Sequence, residues 1–235
     1  MSAARARPML LAAAALLLSA LLLSALLAGC AVGVDSGGGG ASSGPTDQVD
    51  ADSLAGDERA AVGATDAFWR QDFPDVFGRS YRSPQVKGGY RGSRGPSCGG
   101  EPPVPFNAFY CPSQDFLAWD QELMAAGYRQ IGDAWVYLII AHEWGHAIQA
   151  RLQRDQVSVA AELQADCLAG ATIFGAARRG LVQLEPGDTD ELARTLAAVA
   201  DDYPWTKESD HGDARERIAA FNRGADRGVK ACIAS

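Results

Sequence analysis

Two histidines and a glutamate stand together as His142-Glu143-Trp144-Gly145-His146, in a chain of 235 residues with three histidines in all. On an α-helix, residues four apart lie one turn apart on the same face, so both imidazoles reach one Zn2+ ion. Glu143 falls between them, where its carboxylate can take a proton from water as a general base. The plain alternative is a pair of hydrogen-bonded histidines in a packed core. Further on, Glu162 and Asp166 repeat the four-residue spacing. A catalytic zinc takes three protein ligands and keeps one position open for water, which makes Glu162 the expected third ligand. Asp166, one turn on, is then placed to accept the second N–H of a ligating histidine and fix its tautomer. A solvated acidic face is the plain reading of that pair.

These groups meet only if two helices fold back on each other. Residues 135–141 are apolar on every side, which predicts a buried, central helix over 133–153. A second helix is expected over 158–178, after a turn at Asp155-Gln156. His146 lies roughly 10 Å before the end of the first helix, and Glu162 a similar or slightly shorter distance into the second. An antiparallel pair therefore brings them side by side, and the small residues Ala161, Ala165 and Ala169 permit close approach. Upstream, an amphipathic helix is expected over 52–73, with Leu54, Ala61, Val62, Phe68 and Trp69 on its apolar side. Pro74 ends or kinks it. Short extended pieces near 84–86 precede two strands, 106–111 and 116–119, joined by a turn at 112–115. Helical segments are expected over 121–126, 189–201 and 213–222, the last stopping at Gly224. Short strands followed by a run of helices indicate an α+β fold with a small antiparallel β element.

The N-terminus reads as an address. Arg5 and Arg7 precede an apolar run over 9–28 that ends in Leu27-Ala28-Gly29-Cys30. About twenty apolar residues could also form a transmembrane anchor. A basic start, an apolar middle and small residues at the end form a secretory signal, and this ending resembles the lipobox of bacterial lipoproteins. Residues 1–29 are then removed and Cys30 carries lipid, which tethers the chain to the extracytoplasmic face of a cell membrane. Residues 30–51, mostly Gly, Ser and Asp, are expected to form a flexible tether with a reach of roughly 25 Å, ahead of a domain over 52–235. The net charge of −8 becomes −10 once Arg5 and Arg7 leave with the signal. That acidic balance argues against a nucleic-acid partner, because phosphate contacts need clustered Lys and Arg. A hydrophobic fraction of 47% excludes disorder over the whole chain. A monomer is expected.

Taken together, His142-Glu143-Trp144-Gly145-His146-Ala147-Ile148-Gln149 and the block Glu162-Leu163-Gln164-Ala165-Asp166-Cys167-Leu168-Ala169-Gly170 resemble the putative neutral zinc metallopeptidase family of bacteria. The likeness extends upstream to Cys98-Gly99 and Phe109-Tyr110-Cys111-Pro112, downstream to His211-Gly212, and covers roughly residues 60–235. The resemblance implies a zincin-like domain and a peptide or protein substrate. It implies His142, His146 and Glu162 as Zn2+ ligands, Glu143 as the catalytic base, and Asp166 as the residue that orients a ligand histidine. It also implies that the strand around Phe109-Tyr110 lines the cleft and pairs with extended substrate. His211 is either a turn residue or a donor to the oxyanion formed when water adds to a peptide carbonyl. With Cys30 lipidated, the other four cysteines form an even set in a compartment that permits disulfides. Cys98 with Cys111 and Cys167 with Cys232 are the expected pairs, a free thiol or a zinc-ligating Cys167 being the alternatives. A zinc-binding lipoprotein without hydrolysis is the competing function, and Glu143 weighs against it because a purely structural zinc site needs no base.

Overall fold

Helix α1 (Thr46–Phe77) opens the part of the chain that the computed structural model describes, residues 46–154, 158–201 and 211–233. The expected signal segment, Cys30 and residues 30–45 of the expected tether lie outside it, as does the turn at 155–157. The helix begins at Thr46 rather than Asp52, so the end of the expected tether is helical. It buries Leu54, Ala61, Phe68 and Trp69 and half-buries Val62. Pro74 falls in its last turn, and the helix ends three residues later. The Gly78 amide still donates to the Pro74 carbonyl at 2.8 Å.

Three strands follow: β1 (Gln85–Tyr90), β2 (Ala108–Cys111) and β3 (Phe116–Asp120), in the order β1-β3-β2. β3 is buried at every position and needs a partner on both edges. β2 pairs with it antiparallel across the tight turn, Cys111 opposite Phe116 and Ala108 opposite Trp119. β1 pairs with it parallel, with an irregularity between Val86 and Gly88. The sheet is therefore mixed, not the antiparallel element that two adjacent strands alone predict. The Gly-containing β1 has weak strand character, so its pairing is set by the exposed edge of β3 rather than by its own residues.

Helix α2 (Gln121–Gln130) starts directly off β3. Asp120, fully buried, caps it through Oδ1 at 2.9 Å and uses Oδ2 to hold the amides of Gly92 (3.1 Å) and Phe106 (2.8 Å). One carboxylate thus ties the helix start to the loop that leads into β2. Helix α3 (Ala134–Arg151) is buried along almost its whole length and forms the centre of the core. Helix α4 (Val159–Arg178) returns beside it, its first turn capped by the Ser158 hydroxyl on the Ala161 amide at 3.1 Å. Helix α5 (Asp188–Ala198) covers the other side.

Helix α6 (Ala214–Arg227) begins with a capping box between Asp213 and Glu216 and runs through Gly224 to a cap at Gly228. Gly224 is a point of close approach rather than a stop: a Cβ there would come within 1.8 Å of the Cys167 carbonyl oxygen on α4. The short helix α7 (Val229–Ile233), which periodicity alone does not reveal, closes the described chain. Disulfides join Cys98 to Cys111 and Cys167 to Cys232, so the cysteine pairs form as expected, and Cys167 is neither a free thiol nor a metal ligand. Among the described residues no helix is long and apolar enough to cross a membrane.

Candidate metal centre and cleft

α3 and α4 approach closely because small residues face each other. A Cβ on Gly145 would stand 3.0 Å from the Ala165 Cα, so the glycine within the histidine motif lets the second helix lie against the first. This is the stripe of alanines acting as expected. It brings the Glu162 carboxylate over the two histidines. His142 Nε2 and His146 Nε2 are 3.2 Å apart, and Glu162 contacts them through Oε2 at 3.2 Å and Oε1 at 3.3 Å. Ligands about 2.0–2.1 Å from zinc at tetrahedral angles stand about 3.3 Å from one another. The triangle of donors already has the dimensions of one face of a zinc site.

The far side of each imidazole decides which nitrogen is left for a metal. His142 Nδ1 lies 2.8 Å from Asp166 Oδ1, and His146 Nδ1 lies 2.8 Å from Gln149 Oε1. Gln149 is oriented in turn, because its Nε2 donates to the Ala161 carbonyl at 2.6 Å and to Gln164 Oε1 at 3.2 Å. Both Nδ1 atoms therefore carry protons, and both Nε2 atoms face the Glu162 carboxylate at one point, where a cation would displace the proton that His142 Nε2 shares with Glu162. Such a site holds positive charge. Burial alone would push His142 down, but Asp166 and Glu162 outweigh it and lift the imidazole to about 10. Burial likewise favours neutral Glu162, and the two histidines hold its carboxyl far below the ordinary value. Three converging bases, aimed by fixed partners, fit a divalent cation of zinc's preferences.

Asp166 is completely buried, which removes the solvated-face reading of the Glu162/Asp166 pair. It is neutralised by Arg217 of α6, itself only 2% exposed, whose Nε reaches Oδ2 and whose Nη2 reaches Oδ1, both at 2.8 Å. A third N–H of Arg217 is spent on the Val199 carbonyl. Burial opposes ionisation of Asp166, but Arg217 and His142 hold it below the ordinary carboxylate value. Arg217 lies outside the recognised blocks, and Gln149, at the end of one, carried no assigned role. The signal was present in each case: Arg217 occupies the first position of the buried stripe Arg217, Ala220, Phe221, Gly224 and Ala225, and Gln149 is a fully buried amide three residues beyond His146.

The three donors open into a cleft of about 390 Å³. Glu143 lies on its wall, as do Phe109 and Tyr110 of β2, Leu123, Ile139 and His211. Among the described residues nothing hydrogen-bonds the Glu143 carboxylate. The other edge of β2 has no strand partner there either. His211 sits in a turn and on the cleft wall at once. Asp201 accepts its amide at 2.9 Å and that of Gly212 at 2.8 Å, and lies 3.4 Å from its Nδ1. The small burial of Asp201 favours its neutral form, but these donors hold its carboxyl below the usual range.

The chain matches the family described as "Putative neutral zinc metallopeptidase" over residues 10–234. It is 28% identical over 194 residues to "Uncharacterized protein YpfJ" of Escherichia coli strain K12, and equally so to the protein of that name in E. coli O6:H1. That similarity covers 71% of this chain, and the chain spans 66% of the length of these curated relatives. No solved structure matches the chain.

Proposed function

The chain belongs to the putative neutral zinc metallopeptidase family, and from that premise we propose that it is a zinc-dependent peptidase, anchored to the outer face of a cell membrane by lipid on Cys30. The observation that carries the catalytic part is the convergence of two Nε2 atoms and the Glu162 carboxylate, with Glu143 on the same cleft wall. His142, His146 and Glu162 would hold the ion. A bound Zn2+ supplies Lewis acidity, lowering the pKa of water and polarising the scissile carbonyl. Glu143, which no neighbour among the described residues engages, takes the proton of the attacking water and delivers it to the leaving amine. The unpaired edge of β2 aligns an extended peptide by backbone hydrogen bonds. His211 donates to the carbonyl oxygen as negative charge develops there. The two disulfides support an oxidising compartment.

The test is zinc stoichiometry together with cleavage of a mixed peptide library, for the wild type and Glu143→Gln. Zinc in both proteins and cleavage by the wild type alone is the expected result. Zinc in both with cleavage by neither would make the protein a non-hydrolytic zinc-binding lipoprotein. For the anchor, mass spectrometry of protein from membranes should find the mature chain starting at lipid-modified Cys30. A retained segment 1–29 would overturn it.

A further inference from the structure

The cleft does not end at Tyr110 and Pro112. Both residues also line a second cavity, of about 430 Å³, where β2 gives way to the turn before β3. Three arginines line that cavity, Arg79, Arg82 and Arg151, against one acid, Asp115, in a chain whose net charge is −8. Asp115 does not quench them. It pairs with Arg82 at 2.9 Å and with Arg151 at 2.9 and 3.2 Å, and accepts the Tyr110 hydroxyl at 2.9 Å. Arg151 is largely occupied, because its Nε and Nη1 also donate to the carbonyls of Arg82 (2.8 Å) and Ala147 (2.7 Å). It acts as the fixed floor. Arg82 uses only Nη2 on Asp115 and has an 83% exposed side chain. Arg79 has no hydrogen bond or ion pair among the described residues. The cavity therefore keeps about two uncompensated positive charges and several unspent N–H donors, the combination that grips a carboxylate.

Other cleft residues, Phe106 and Leu123, lead into a pocket of about 480 Å³ lined mainly by apolar residues, Ile131 and Trp135 among them. The cleft thus adjoins one charged and one apolar pocket through different residues. Resting on the peptidase reading, we propose that the arginine cavity is a substrate subsite that selects a carboxylate. The carboxylate's position along an extended peptide, which advances about 3.3 Å per residue, is read by moving it residue by residue. The carboxylate comes from an Asp or Glu side chain, or from the free C-terminus of a short peptide.

The experiment reads binding, not turnover, and uses the zinc-loaded Glu143→Gln protein. Fluorescence anisotropy compares neutral peptides blocked at both ends, the same peptides with a single Glu walked along them, and a set with a free C-terminal carboxylate. One placement of Glu, or one length of free-ended peptide, should bind about tenfold tighter than its neutral match at low salt, equivalent to two modest ion pairs. Which set shows the preference identifies the source of the carboxylate. The preference should vanish in Arg79→Gln/Arg82→Gln and shrink as salt rises. Equal affinity for charged and neutral peptides, a preference that survives the double substitution, or no binding of any peptide would overturn the proposal. Cleavage of the same peptides by the wild type is measured in parallel. Preferential binding without cleavage would remove the peptidase reading and leave the carboxylate site standing.

Discussion

Replacing Arg217 by Met should be among the most damaging single changes in the domain, although Arg217 belongs to no motif. The guanidinium makes two bonds of 2.8 Å to a carboxylate with no solvent exposure and a third to the Val199 carbonyl. Methionine fills much of the same volume but leaves Asp166 as a buried anion whose remaining partner is His142. Breaking a buried pair from one side costs about 3–5 kcal/mol, most of it the uncompensated charge. For a domain of this size that is a fall in Tm of about 10 °C. Lysine should not rescue it, because an ammonium cannot span both carboxylate oxygens. Removing both charges, as in Asp166→Asn/Arg217→Met, should cost clearly less than the sum of the two single changes. The assay is urea unfolding of the four proteins with disulfides intact and a chelator present, so that zinc binding does not mask the difference. An Arg217→Met protein within about 1 kcal/mol of the wild type, or strict additivity in the cycle, would refute the reasoning.

Four further outcomes follow from the same geometry. Gln149→Leu should lower zinc affinity by about 10- to 100-fold, as loss of a group that orients a ligand does, and a competition titration with a chromogenic chelator reads it; unchanged affinity would mean that His146 is held by other means. His211→Ala should cut turnover by about 100-fold or more at unchanged zinc content, whereas unchanged turnover would confine His211 to its turn. Burial raises the pKa of Glu58 despite bonds from Trp119 and Gln121. The folded state then holds its proton more tightly than the unfolded chain does, so its contribution to stability falls as pH rises from the ordinary carboxylate value through the folded one. Glu58→Gln should accordingly raise Tm more at neutral pH than in acid, and an equal or reversed effect would show that Glu58 is not penalised. The Cys167–Cys232 bridge closes 65 residues of chain and Cys98–Cys111 closes 13. Their replacement by serine pairs should cost about 4 and about 3 kcal/mol in the chain-entropy model, and calorimetry should show the larger loss for the longer loop.

The chemistry was more legible in the sequence than the scaffold was. Histidines at i and i+4, and an acid pair at the same interval, announce themselves because helical geometry converts spacing directly into a shared face. The loop between the helices was short enough to infer that Glu162 meets the histidines, and Ala165 against Gly145 shows why the helices close so far. The residues that orient the ligands were harder to find. Arg217 reads as surface charge on a polar helix, and only the stripe of buried positions after it marks it as interior. Gln149 looks like an ordinary end to an apolar run. β1 was obscured because its pairing is a long-range decision: β3 offers an edge, and a Gly-containing segment with little preference of its own takes it. Gly224 misled for a related reason. It normally punctuates a helix, but packing of α6 on α4 demands the missing Cβ. The arginine cavity has no sequence signature, since Arg79, Arg82 and Arg151 come together only through the fold.

The most direct test of the central claim is anomalous diffraction at the zinc edge from crystals of the zinc-loaded protein. A single peak should lie about 2.0–2.2 Å from His142 Nε2, His146 Nε2 and the Glu162 carboxylate, with the fourth position free of protein ligands. A fourth protein ligand closing the site would contradict the account, as would zinc bound instead by the carboxylates of Asp133, Asp188 and Glu191, which lie within 4.8 Å of one another.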